Sequence, residues 1–288
     1  MKLFSYTKNK KYGVGILNPQ NNAQFVDVTD LDPSFGTQME SLVTLDQHPK
    51  LLAALGRATS KQFQNIADVH FELPIANPPK LICLGLNYAD HAKEGGNAKP
   101  EYPSFFIRVN TSMTPHHSPI VRPKASTKLD YEAELAVIIG KKAKHLTPGN
   151  ALDCIFGYSC FNDGSLRDFQ RKTSQWTIGK NFDATGGFGP WIVTADELPA
   201  GASGLRIQSR LNGKIMQDAN THDFLWDVKE ALCLITECIT LMPGDVIITG
   251  TPAGVGYART QPVWMQPGDI CEIEIEGIGT LSNSIVDE

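Results

Sequence analysis

What this chain lacks narrows its function first. It has no dense Lys/Arg run and its net charge is −5, so the electrostatic footprint of a nucleic-acid binder is missing. It has no long apolar run: Ala231 to Met242 is interrupted by Thr236, Glu237 and Thr240 and is too short to span a bilayer. Lys2 is followed by no apolar h-region, so no signal peptide is expected. The six cysteines (Cys83, Cys154, Cys160, Cys233, Cys238, Cys271) show no C-x-x-C spacing, and most sit among apolar neighbours. That usage predicts buried free thiols in a reducing compartment. The expectation is a cytoplasmic protein with no nucleic-acid and no membrane partner.

What is present is enough for a sizeable core: 288 residues with ordinary charged and apolar fractions. Residues 1–74 read as a small α+β unit, with strand-like runs Lys2 to Thr7, Gly13 to Leu17 and Gln24 to Val28. A helical stretch follows at Met39, Leu42, Val43, Leu51, Leu52 and Leu55. The proline-rich segment Leu73 to Pro79 reads as a linker. Residues 75–288 are strand-rich. One helix is expected from about Thr221 to Leu241, with Asn220 or Thr221 as its cap and Pro243-Gly244 as its stop.

The segment Tyr131 to Gly140 reads as a strand that places Glu132 and Glu134 on one face. Ala133, Leu135, Val137 and Ile139 then face a core. With Asp163 downstream, three carboxylates can form an oxygen cage suited to Mg²⁺ or Mn²⁺ before Zn²⁺. Glu272, Glu274 and Glu276 also alternate, between Cys271, Ile273 and Ile275, so period alone does not separate a metal site from a solvated acidic strand face.

The surroundings separate them. KLICLGLNYADHAKE (Lys80 to Glu94), DYEAELAVIIG (Asp130 to Gly140), GYSCFNDGSLRDFQ (Gly157 to Gln170), GKNFD (Gly179 to Asp183) and GDVIITGTPAGVG (Gly244 to Gly256) stand in this order, closed by GDICEIEIEGIGTLSN. In these stretches, from about Lys80 to the C-terminus, the chain resembles the fumarylacetoacetate hydrolase family. The resemblance implies an α+β fold with a mixed β-roll catalytic domain, a homodimer, and one divalent cation held by Glu132, Glu134 and Asp163. It implies Lys180 in the active site and a His91-x-x-Glu94 pair on a mobile lid, where it activates a water. Positions three apart share a helix face, and an imidazole held by a carboxylate is a sound general base. Gln217 matches a family position lining the pocket.

Other candidates come from residue chemistry. Arg167 suits a bidentate carboxylate clamp, with Asp168 placed to orient it, although a plain ion pair explains it nearly as well. The loop Thr249 to Gly256 lacks both G-x-G-x-x-G and a G-K-[ST] ending, which rejects nucleotide binding. It offers backbone N–H groups and the Thr251 hydroxyl to a substrate carboxylate. Two positions depart from the family pattern: Arg108-Val109 stands where many members have Lys-Pro, and Gly164 stands for a valine. Arg108 is expected to hold a second carboxylate. The sequence therefore predicts a metal-dependent enzyme on a small acylpyruvate-like or dicarboxylic oxo acid. Hydrolytic carbon–carbon cleavage, as in aromatic-compound catabolism, comes first. Oxaloacetate-type decarboxylation and hydroxydienedioate isomerisation are its rivals, and a non-catalytic metabolite-binding protein is the rival of another class.

Overall fold

An uninterrupted apolar run after Glu134 decides where the central strand goes. The computed structural model describes residues 1–96 and 101–288. Strands β1 (Lys2–Lys8), β2 (Lys11–Asn18) and β3 (Asn21–Asp27) form an antiparallel meander. Helix α1 (His48–Leu55) precedes β4 (Leu81–Gly85), the short helix α2 (Ala89–Glu94) and β5 (Ser104–Ile107). Next come β6 (Ala133–Ile139), β7 (Ile155–Asn162), the one-turn helices α3 (Arg167–Gln170) and α4 (Thr177–Lys180), and β8 (Gly186–Thr194). The chain closes with β9 (Arg206–Leu211), β10 (Lys214–Asn220), α5 (Val228–Cys238), β11 (Val246–Ile248), β12 (Ile270–Ile275) and β13 (Gly279–Asp287).

Among the described residues a twelve-stranded mixed sheet follows the order β3–β2–β1–β8–β7–β6–β11–β4–β5 along its main path. Most pairs are antiparallel, but β4 and β11 run parallel. A second sheet carries β10–β9–β12–β13 and the short strand Ile120–Arg122. The fold is thus the strand-rich α+β arrangement expected. The segment over 1–74, read as a unit of its own, extends the large sheet: β1 pairs with β8, Leu3 opposite Ile192.

Strand β6 is buried on both faces. Ala133, Leu135, Val137 and Ile139 join one core cluster, while Ala136 and Ile138 join another. The face expected to be acidic is therefore acidic only at its start, where Glu132 and Glu134 open on a cavity. A strand covered on both sides reads as a continuous apolar run, which AVII is.

The expected helix at 221–241 begins later. Asn220 caps only the short turn Thr221–Asp223, and α5 starts after Asp227, whose carboxylate accepts from the Glu230 N–H while Glu230 reciprocates. Both starts carry a reciprocal capping box, Asn220 with Asp223 and Asp227 with Glu230, and the non-helical backbone of Phe224 (φ −55°, ψ 137°) separates the short turn from α5. The competing acidic strand is a polar face: Glu272 and Glu274 pair with Arg210, and Cys271, Ile273 and Ile275 are buried. All six cysteines are free, four of them buried. Among the described residues no helix is long and apolar enough to cross a membrane.

Candidate active site

Pairing of β6 with β7 builds the acidic cage. Ala133 lies opposite Asn162, and the Asp163 N–H donates to the Glu132 carbonyl at 2.9 Å, so Asp163 leaves β7 beside Glu132. Asn162 fixes the same corner by accepting from the Glu132 N–H at 3.0 Å. Glu132, Glu134 and Asp163 are all buried, and each offers an oxygen within 4.8 Å of the others.

Fixed cations balance two of the three acids. Lys180 Nζ lies 2.6 Å from Glu132 Oε2 and 2.5 Å from Asp163 Oδ2. Burial alone would raise the Glu132 carboxyl, but Arg167 and then Lys180 overcome it and hold it below the usual range. Glu134 fares differently. Burial, and then repulsion from Asp163 and Glu132, push its carboxyl well above the usual range. It accepts a hydrogen bond from the Gly250 N–H at 2.5 Å. A buried carboxylate destabilised by two like charges is what a divalent cation relieves, and the all-carboxylate donor set fits a hard ion such as Mg²⁺ or Mn²⁺.

Above the cage, α2 carries the expected pair. His91 Nδ1 is 2.8 Å from Glu94 Oε1, and the buried His91 lines the cavity. Glu94 Oε2 accepts from the Gly254 N–H at 2.9 Å, which ties the helix to the glycine loop. Gly254 has φ +103°, and a Cβ there would sit 2.4 Å from the Met216 carbonyl, so only glycine brings that N–H into place. With Nδ1 engaged by the carboxylate, Nε2 is the ring nitrogen free of Glu94.

Thr251 lines the same cavity of about 310 Å³. Gln217 does not. Both of its amide N–H groups are spent, on Thr251 Oγ1 at 2.7 Å and the Pro252 carbonyl at 2.8 Å, and its oxygen accepts from the Ala133 N–H. It orients Thr251: the Thr251 oxygen accepts from the amide, which frees its own hydrogen for the cavity.

The two expected carboxylate-binding arginines are also engaged. Arg167 donates to Asp130 at 2.9 Å, Gln170 at 2.9 Å and Glu132 at 2.6 Å. Asp168 does not orient it; that carboxylate accepts from Ser126 Oγ and the Phe169 N–H. Arg108 has no exposed side-chain surface. Its five N–H groups meet Ser112 Oγ, the Ser112 carbonyl, Thr185 Oγ1, the Gly164 carbonyl and Asp163 Oδ1. The expectation that Arg108 holds a second substrate carboxylate is therefore corrected. It holds Asp163.

Asp130 escaped the sequence reading. Buried between the loop and α3, it accepts from Arg167 and from the Gly256 and Tyr257 N–H groups. Its place two residues before Glu132 was the available signal. Phe106, Gln170, Arg171, Trp176 and Tyr257 also line the cavity and carry no local motif.

A family model described as fumarylacetoacetate (FAA) hydrolase, C-terminal, matches residues 80–286. An oxaloacetate tautomerase of Rattus norvegicus, named as mitochondrial, is 36% identical over 264 residues, covering 91% of this chain and 83% of that protein. The solved fumarylacetoacetate hydrolase of the psychrophile Exiguobacterium antarcticum superposes with a TM-score of 0.86 at 34% identity, with 100% of both chains covered. A maleylpyruvate hydrolase of Sphingobium, solved with manganese(II) and pyruvate, gives 0.80 at 28%, covering 100% of this chain and 99% of that one. This chain belongs to the fumarylacetoacetate hydrolase family.

Proposed function

We propose that the chain catalyses proton transfer at the carbon next to the carbonyl of a small 2-oxo acid, interconverting its keto and enol forms. The observation that carries this reading is the His91–Glu94 pair, anchored to Gly254, beside the three-carboxylate cage. Glu132, Glu134 and Asp163 would hold a divalent cation, which would supply Lewis acidity to the substrate's oxygens. His91 Nε2 removes the C–H proton, Glu94 stabilises the imidazolium through Nδ1–H, and the same nitrogen delivers that proton to the enolate oxygen to give the enol, the reverse sequence restoring the keto form. Lys180 sets its positive charge where negative charge develops on the oxygen, and burial strengthens it there. The Thr251 hydroxyl orients the carboxylate. The 36% identical tautomerase supports this order of readings.

Hydrolytic cleavage, which the sequence placed first, is the second reading. The same pair can take a proton from water, whose oxygen then adds to the distal carbonyl of an acylpyruvate. The carbon–carbon bond breaks, and the departing enolate takes up a proton. The maleylpyruvate hydrolase neighbour supports this reading.

The test follows enol decay of oxaloacetate by ultraviolet absorbance and acylpyruvate cleavage by NMR, both with Mn²⁺, for wild type and His91→Ala. Faster enol decay that depends on His91 supports the proposal. Acylpyruvate cleavage without it promotes hydrolysis. Carbon dioxide release from oxaloacetate as the one catalysed change would overturn both.

A further inference from the structure

We infer that Arg171, stacked on Tyr257, binds the distal carboxylate of a dicarboxylic 2-oxo acid; the inference rests on the 2-oxo acid reading above. The cations deep in the site are already engaged. Arg108 has given all five N–H groups to Asp163 and its surroundings, Arg167 binds three side chains, and Lys180 bridges two carboxylates. Arg171 differs from all three. It lines the cavity, it is exposed, and among the described residues its guanidinium makes no hydrogen bond or ion pair.

It is nonetheless held in place. Its Cζ lies 4.3 Å from the centroid of the Tyr257 ring, and that of Arg167 lies 4.5 Å from the same centroid. The ring is itself fixed, because the Tyr257 N–H donates to Asp130 at 3.0 Å. A guanidinium stacked on an aromatic face keeps its in-plane N–H edge free for a carboxylate. Arg171 follows Arg167 by one helical turn, about 6 Å along the axis, and Arg167 touches Glu132. Arg171 makes no ion pair with the three cage carboxylates, so an anionic group meeting it lies off the cage and is not the carboxylate beside the reacting carbonyl. Trp176, whose ring covers Gly85 so closely that a Cβ there would lie 2.1 Å away, walls the path with Phe106.

The experiment compares 2-oxoadipate with 2-oxohexanoate, chains of equal length that differ in the distal carboxylate. Their binding to Mn²⁺-loaded protein is measured by calorimetry, beside turnover. Wild type is expected to prefer the diacid by about 10- to 100-fold, the range for a hydrogen-bonded charged pair. Arg171→Gln should abolish that preference and leave 2-oxohexanoate binding unchanged. Arg171→Lys should retain part of it, and Tyr257→Leu should weaken it by loosening the guanidinium. No diacid preference in wild type, or equal losses for both ligands in Arg171→Gln, overturns the inference. Diacid preference without turnover of any oxo acid sinks the catalytic reading alone; turnover without the preference sinks this inference alone.

Discussion

Arg108 and Gly164 form one contact: the guanidinium Nη1 donates to the Gly164 carbonyl at 3.1 Å while it holds Asp163 Oδ1 at 2.6 Å. They belong to the two stretches where the sequence departs from the pattern that its resemblance implies. A Cβ on residue 164 would lie 1.9 Å from the Thr185 carbonyl, and Thr185 is another acceptor for Arg108. The bulkier arginine fork and the missing side chain are thus linked through Thr185, and both serve a carboxylate of the cage.

Arg108→Met should destabilise the protein by about 3–5 kcal/mol, because it leaves Asp163 buried with half its charge partners gone. Arg108→Lys keeps the charge and should lose less. Urea unfolding of the chelated proteins measures both. Equal stability of Arg108→Met and wild type would contradict the buried-pair account.

Gly164→Val should cost at least about 1–3 kcal/mol, the usual range for overpacking, since the obstructing atom is backbone and cannot rotate away. A valine here that leaves the thermal midpoint unchanged would show that the Thr185 segment yields freely.

Chelation should lower the thermal midpoint, and Mn²⁺ at 100 times its Kd should restore about 2.7 kcal/mol. The raised Glu134 carboxyl must lose its proton before it can ligate, so affinity should fall as pH falls towards the ordinary carboxylate range. Calorimetric titration at two pH values reads this directly. Glu134→Ala should lose the cation and the activity and keep the fold.

His91→Ala should slow turnover by about 10²–10⁴-fold, the typical worth of a general base. Mn²⁺ affinity should stay within a few fold, because the imidazole is not one of the three converging acids. An unchanged rate would reduce α2 to a surface feature.

His116 gives a pH signature unrelated to the cage. Burial, and then the neighbouring His117, push its imidazole down to about 3 from 6.5. Its Nδ1 accepts from the Ser282 N–H at 3.0 Å. The folded state stays neutral there while the unfolded chain takes a proton near 6.5. Stability is therefore full above 6.5 and declines as pH falls towards 3, by up to about 1.4 kcal/mol per pH unit. His116→Gln should flatten that decline, read by urea unfolding between pH 7 and 4.

The sequence by itself determined two side-chain juxtapositions, and the family resemblance, not the pattern, marked them as a site. Period-two alternation puts Glu132 and Glu134 together, and three-residue spacing puts His91 beside Glu94, because local backbone geometry fixes both. The strand-rich fold class was legible for the same reason. α5 starts later than expected because two capping boxes stand within eight residues and the backbone leaves helical geometry at Phe224 between them. Only the tertiary structure decided which arginine is available. Arg108 meets Asp163 across 55 positions, and Arg167 meets Asp130 across 37. In a sequence, an arginine whose donors are spent looks the same as one whose donors are free. The difference is made by acceptors that packing brings in from distant segments, and it left Arg171, which no motif marked, as a cavity-lining cation whose guanidinium makes no hydrogen bond or ion pair among the described residues.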